Sequence, residues 1–233
     1  MAHIAVLGLG NWGTAIARLW LLEGHKVTGW TIEQEVYESI TMSETNEKYL
    51  PNHPVPGLDA TMHLAEAVEG AEIVVLAVPS SVILDVMEDV LPHLQPGHVL
   101  LDLAKGLAPG KRLISEAIHT RLKEEGKTNP LAVLTGPTIA PEAAGGVMTT
   151  ALVASEDQAI AQRLAQTLST PSFILHPASD PVGAELWGAY KNVVALACGL
   201  VDGLKQVGDL GGDNLKAAIF MSGFKEGLSL IHI

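Results

Sequence analysis

Gly8-Leu9-Gly10-Asn11-Trp12-Gly13 places three glycines at the spacing G-x-G-x-x-G, between a short apolar run and a helix-forming stretch. That arrangement suits the gripping of a pyrophosphate. The first glycine allows the tight turn. The second lets the backbone approach the anion, and the third lets helix and strand pack closely. The helix N-terminus, with Asn11 and Trp12, adds N–H donors and a favourable dipole. A dinucleotide site is therefore expected at Gly8, Gly10 and Gly13; a purely structural glycine turn is the plainer alternative.

An acid about 20 residues past such glycines, closing the second strand, accepts from the adenosine 2′-hydroxyl of NAD. Here that strand ends Trp30-Thr31-Ile32-Glu33. Glu33 either fills that role or is an exposed acid at a helix start. No Arg stands beside it for a 2′-phosphate, so the cofactor is read as NAD or NADP, with NAD slightly preferred.

Two lysines could serve a substrate. Lys105-Gly106 follows the apolar run Val99 to Leu103, and strand ends of an open parallel sheet face the ligand crevice. Lys105 there binds a phosphate, polarises a carbonyl, or is an ordinary surface lysine. Gly136-Pro137-Thr138 follows the run Leu131 to Leu134 and either aims N–H groups into the crevice or makes a plain turn. Lys191-Asn192 sits within an apolar helical stretch, where an ammonium must be paired, shifted in pKa or facing a cavity. Asp202 shares its stripe but lies roughly 16 Å further along the axis, so the two cannot pair directly.

Other chemistries lack their residues. The nine histidines show no H-x-H or H-E-x-x-H spacing and no cysteine joins them, so no metal is expected. G-x-S-x-G is absent. Cys198, the single cysteine, reads as a packing residue and fits a reducing cytoplasm.

The elements that must position these residues alternate. Strands are expected at Ile4–Leu7, Lys26–Trp30, Ile73–Val78, Val99–Leu103, Leu131–Leu134, Val147–Ala154 and Phe173–Leu175. Helices are expected at Asn11–Glu23, Glu33–Ile40, Val82–Leu91, Arg112–Glu125, Thr138–Ala144 and Gln158–Leu168, with a polar, Pro-rich loop from Asn46 to Gly57. The pattern predicts an α/β fold, a doubly wound, mostly parallel Rossmann-type sheet. It changes at Asp180-Pro181, an N-cap followed by a first-turn proline. Residues 1–178 are read as the dinucleotide-binding domain and 179–233 as the start of an all-α second domain. Its first helix, apolar on most sides, is expected to be buried nearly all round.

The chain has 233 residues, 48% hydrophobic and 4% aromatic, with a net charge of −12. No basic patch speaks for nucleic acid. No signal peptide and no membrane span are visible, so a cytoplasmic location is expected.

Together these pieces resemble the NAD(P)-dependent glycerol-3-phosphate dehydrogenase family, of bacterial or plastid-like type. Its signs are Gly8 to Ala15, Tyr49-Leu50-Pro51, Leu76 to Ser80, Lys105-Gly106 and Gly136-Pro137-Thr138 with Glu142. Gly183 to Leu186, Lys191 to Ala195 and Gly212-Asp213-Asn214 complete the set, in order and spacing over nearly the whole chain. The resemblance implies interconversion of dihydroxyacetone phosphate and sn-glycerol 3-phosphate for glycerophospholipid synthesis, and a homodimer at full length. It implies Lys191 as the general acid/base, with Lys105 touching cofactor and substrate. It further implies Gly136, Thr138 and Asn192 at the substrate, and Asn11, Trp12 and Ala140 at the cofactor.

Some positions depart from the family. Ile32 stands where a basic residue is frequent, and Asn11 where Ser is. The stretch Lys205 to Gly211 looks long. Phe220 to Gly223 replaces an Arg-Gly, and Leu228 to Ile233 fits no family pattern. The family's later Gly-Asp-Leu and Ser-Arg-Asn segments are absent, so a chain cut short within its helical domain, with little turnover of its own, is expected. The other readings are a β-hydroxyacid or 6-phosphogluconate-type dehydrogenase, or a cofactor-binding fragment without turnover.

Overall fold

The computed structural model describes residues 1–110, 112–208 and 211–231. Eight strands form one sheet: β1 (His3–Leu7), β2 (Lys26–Trp30), β3 (Asp59–Thr61), β4 (Ile73–Leu76), β5 (Val99–Asp102), β6 (Leu131–Thr135), β7 (Thr149–Ala154) and β8 (Phe173–Ala178). Their order is β3-β2-β1-β4-β5-β6-β7-β8. Every pair is parallel except β6 with β7. The chain reverses its direction of travel across the sheet between β1 and β4. At such a point neighbouring loops diverge and leave a crevice at the strand C-termini.

Side chains alternate across the sheet. Ile4 and Val6 join Ile16, Trp20, Leu164 and Phe173 on one face. Ala5 and Leu7 join Ile83, Met87, Ile114 and Ile118 on the other. Over β1, β4, β5 and β6 both faces are covered, which is why those strands read as unbroken apolar runs, whereas β7 and β8 alternate buried and exposed residues. The first face is clothed by α1 (Asn11–Leu22), α2 (Gln34–Ser43) and α7 (Gln158–Leu168). The second carries α3 (Leu64–Val68), α4 (Ile83–Val90) and α5 (Ile114–Glu124). A short α6 (Ala140–Ala144) packs beside α1.

The sheet and its helices match the expected doubly wound Rossmann-type plan. β3 and α3 went unpredicted. β3 is the three-residue edge strand Asp-Ala-Thr, too short and polar to show a period.

Two packed helices follow, α8 (Pro181–Gln206) and α9 (Asp213–Ile231). Asp180 caps α8, its carboxylate accepting from the Gly183 N–H at 2.8 Å. Trp187 meets Phe224 edge to face with centroids 5.6 Å apart. The Lys216 ammonium lies 2.7 Å from the Asp202 carboxylate.

The expectation that α8 is buried nearly all round is not met. Its buried residues are Gly183, Ala184, Glu185, Gly188 and Val201. Val193, Leu196 and Leu200 are 59%, 76% and 68% exposed. The sheet, α5 and α9 cover parts of the helix, and among the described residues nothing covers the remaining apolar face. No described helix is long and apolar enough to cross a membrane. The stretch Leu228 to Ile233, read as fitting no family pattern, lies partly outside the described residues; α9 runs through Leu228.

Candidate functional site

Each glycine of the first loop meets a different constraint. Gly8 has φ +111°, and a Cβ there would lie 2.8 Å from the Ala77 carbonyl oxygen. A Cβ on Gly13 would overlap the Gly8 carbonyl oxygen, because α1 passes directly against the loop. Gly10 is different. Its backbone is extended, with φ −74° and ψ −167°. Nothing lies within 4 Å of a Cβ built on it. That open space belongs to a crevice of about 890 Å³, walled by Gly8, Gly10, Asn11 and Trp12 on one side and by Pro79, Val82 and Lys105 on the other. Gly10 offers α1 no side-chain cap, so the first N–H groups of the helix remain for an anion. The lining residues thus fit a dinucleotide: bare backbone at the pyrophosphate position and apolar walls beyond it.

Glu33 lies on the rim of this crevice, three residues past β2 at the N-cap of α2. The sequence shows no cation beside it, but the fold brings one. Lys48, from the loop after α2, places its ammonium 2.5 Å from a Glu33 carboxylate oxygen and also pairs with Glu35. The Tyr49 hydroxyl donates to the other Glu33 oxygen at 2.8 Å. The Lys48 bond, with Tyr49 assisting, holds the Glu33 carboxyl below its ordinary pKa. No Arg stands here, but Lys48 supplies a cation at this corner.

That loop is fixed by Asn46, which is fully buried. Its amide donates to the Leu9 carbonyl and to the Thr14 hydroxyl, each at 2.8 Å, and its oxygen accepts from the Tyr49 N–H at 3.2 Å. The stretch read as a Pro-rich loop is thus tied into the glycine turn.

Lys105 follows β5 and stands at the crevice's edge, 3.3 Å from the Thr138 hydroxyl. Partial burial lowers its pKa. The Lys191 ammonium, reaching from α8, donates to the Gly136 carbonyl at 2.6 Å. Its pKa is lowered by burial first, then by the nearby charge of Lys105. Gly136 has no room for a side chain, since a Cβ would lie 2.9 Å from Ala151 Cα. Gly188 plays the matching part on α8, where a Cβ would lie 2.5 Å from the Thr135 hydroxyl. These bare contacts set α8 close enough for Lys191 to reach the sheet. A second cavity, of about 630 Å³, opens beside Lys191 and is walled by Gly136, Trp187, Lys216 and Phe220.

The structure thus gathers Gly8, Gly10, Asn11, Trp12 and Glu33 round one crevice, with Gly13 behind it. At the crevice's edge Lys105 meets Thr138, while Lys191 and Gly136 meet beside the second cavity. Two predicted residues fall outside. Ala140 is buried in an apolar cluster with Ala15, Leu50 and Ala144, behind α1 rather than on the crevice wall. Asn192 is exposed and does not line the cavity beside Lys191, since one step along a helix turns a side chain about 100°.

Sequence reasoning missed Asn46, Lys48 and the buried acids behind Lys105. Asp102 ends β5 fully buried; one oxygen accepts from the Ala104 N–H at 2.8 Å, and the other has no partner among the described residues. Burial, with the Glu185 charge adding, pushes its pKa up to about 8. Glu185, near the start of α8, accepts from the Ile114 and Ser115 N–H groups and from the Ser115 hydroxyl at 2.5 Å. A charged residue closing an apolar strand was the one signal in the sequence for Asp102.

Known proteins place this geometry. Residues 3–161 match the model of the NAD-dependent glycerol-3-phosphate dehydrogenase N-terminus, and residues 180–233 that of its C-terminus. A relative from Rhodospirillum rubrum, glycerol-3-phosphate dehydrogenase [NAD(P)+], is 41% identical over 226 residues, covering 96% of this chain and 62% of the relative. Its namesake from Fusobacterium nucleatum is 36% identical, covering 99% of this chain and 67% of the relative. The chain thus spans about two thirds of the length of the curated relatives it matches. The crystal structure of glycerol-3-phosphate dehydrogenase from Coxiella burnetii superposes with a TM-score of 0.89 at 33% identity, covering 99% of this chain and 69% of that one. With both family models matched in order along one chain, this chain belongs to the NAD-dependent glycerol-3-phosphate dehydrogenase family.

Proposed function

We propose that this chain supplies the cofactor site, and part of the substrate site, of an oxidoreductase that interconverts dihydroxyacetone phosphate and sn-glycerol 3-phosphate with NAD(H) or NADP(H). The observation that carries this is the pair of lysines, Lys105 at the crevice's edge and Lys191 at the second cavity, close enough for one charge to act on the other. Lys191 is anchored on the Gly136 carbonyl at 2.6 Å, and its pKa is lowered partly by Lys105.

In this reading residues 1–178 hold the dinucleotide and residues 179–233 bring Lys191 to it. Bound nicotinamide supplies or accepts the hydride. Lys191 gives a proton to the carbonyl oxygen in reduction and takes it back in oxidation. A lowered pKa brings an ammonium nearer the range where both directions run. Lys105, held by Thr138, attracts the phosphate and orients the carbonyl, and the Gly136–Thr138 backbone lines the pocket. The relatives carry further chain, and the substrate's dianion needs more donors than these. The whole reaction is thus assigned to the site as completed by a segment like theirs, in a cytoplasmic homodimer serving glycerophospholipid synthesis.

The test uses the chain alone and the chain joined to the remaining C-terminal segment of the Rhodospirillum rubrum relative. Both should bind NADH, and the fusion should oxidise it with dihydroxyacetone phosphate. A fusion that binds NADH but turns over only a β-hydroxyacid or 6-phosphogluconate would sink the substrate assignment. A chain that binds neither nucleotide would sink the cofactor site.

A further inference from the structure

The corner where Glu33, Lys48, Glu35 and Tyr49 meet has more charge than one ribose hydroxyl needs. Glu33 is about one third exposed and looks into the crevice. Its carboxylate is where the 2′-hydroxyl of an adenosine ribose would be accepted. A lone acid at that place would repel a 2′-phosphate. Here it is not alone. The Lys48 ammonium sits on it at 2.5 Å, shares itself with Glu35 and lies 5.5 Å from the centre of the Tyr49 ring. The neighbouring strand-end residue, Ile32, is 74% exposed and carries no charge. Among the described residues, Lys48 is the cation that pairs with Glu33 on the crevice rim.

We propose that Lys48 is the residue that reads the 2′ position, giving this chain a place for a 2′-phosphate beside the acid that takes a 2′-hydroxyl. The inference rests on the crevice being the dinucleotide site. With a 2′-hydroxyl, Glu33 accepts from the ribose while Lys48 stays paired and keeps the carboxylate from repelling the pyrophosphate. With a 2′-phosphate, the same ammonium moves from Glu33 to the phosphate oxygens and keeps Glu35 as its second partner. A flexible four-carbon stem makes this shift without moving the backbone. The backbone is in any case held, because buried Asn46 ties the loop to Leu9 and Thr14 at 2.8 Å. The site therefore takes both nucleotides by moving one side chain. Discrimination is set by the balance between Lys48 and the two acids.

The experiment is calorimetric titration of NADH and of NADPH into the wild-type chain, Lys48→Met, Lys48→Arg and Glu33→Gln. Lys48→Met should weaken NADPH roughly tenfold, the loss of one charge-assisted contact to phosphate, and change NADH by less than about threefold. Lys48→Arg should keep NADPH binding. Glu33→Gln should weaken NADH and strengthen NADPH. Raising the salt concentration should weaken NADPH more than NADH in the wild type and level the two in Lys48→Met. Equal loss of both nucleotides in Lys48→Met, or no loss of NADPH, overturns the proposal while leaving the crevice as a nucleotide site. Binding of neither nucleotide by the wild type overturns the crevice reading, and this inference with it.

Discussion

The side-chain amide of Asn46 donates to the main-chain carbonyl of Leu9 at 2.8 Å, inside the glycine turn. A residue 37 positions away thereby shapes the loop that would hold a pyrophosphate. Asn46 also bonds Thr14 and the Tyr49 N–H, so its loss strands buried groups on both segments. Asn46→Ala should destabilise the chain by about 1–3 kcal/mol and weaken dinucleotide binding. Urea denaturation and titration check both. A change in stability within a few tenths of a kcal/mol would show that the link is dispensable.

Two glycines of the same loop should fail in opposite ways. Gly10→Val has open space for its side chain, so the fold should survive while NADH binding is lost. Gly13→Val must push α1 away from the Gly8 carbonyl, so the folded state itself should be lost. Thermal melts and NADH titration separate the two. Unimpaired binding by a folded Gly10→Val chain would move the pyrophosphate elsewhere.

Lys191 should carry its neutral form at lower pH than an exposed lysine, because burial and the Lys105 charge both disfavour the ammonium. Its rate of acylation against pH, followed by mass spectrometry, reads this directly. Lys105→Met removes a like charge and should move the Lys191 profile upward, toward the usual lysine range. A profile that ignores Lys105 would mean the two do not share one site.

Asp102 gives a pH signature. Its pKa is raised to about 8 in the fold, against an ordinary value of 3.8. As pH rises from 3.8 to about 8 the unfolded chain gives up this proton and the folded chain keeps it. Stability is therefore fully present below that window and lost across it, at up to about 1.4 kcal/mol per pH unit. Asp102→Asn should flatten the slope of stability between about pH 5 and 8, within that window. Parallel slopes for variant and wild type, from urea midpoints at several pH values, would place the titration on another group.

The parts of the site that were legible in sequence are those written in consecutive residues. The three glycines, Lys105 after its strand, and Gly136-Pro137-Thr138 each follow an apolar run, and their position on the sheet follows from the alternation of elements. Asn46 and Lys48 were illegible because their meaning lies in contacts across 15 to 37 positions, from a loop without periodicity. Lys191 was conspicuous as a charge in an apolar helix, but that helix was judged by its own composition. Its surroundings decide its burial, and α9 and the sheet cover only part of it. Ala140 and Asn192 came from resemblance alone, and the fold seats the one behind α1 and turns the other outward.

Glu185 joins the two halves of the chain by an unusual seam. Its carboxylate takes the place of a cap on α5, so the first turns of α8 complete a helix that belongs to the sheet. Lifting α8 away would bare two N–H groups, a hydroxyl and a carboxylate at once, and the acid is only 3% exposed. The base of α8 must therefore travel with the sheet as one piece, pinned also by the bare contact of Gly188 on Thr135. The seam thus fixes the start of the helix that carries Lys191 against the sheet whose fifth strand leads into Lys105.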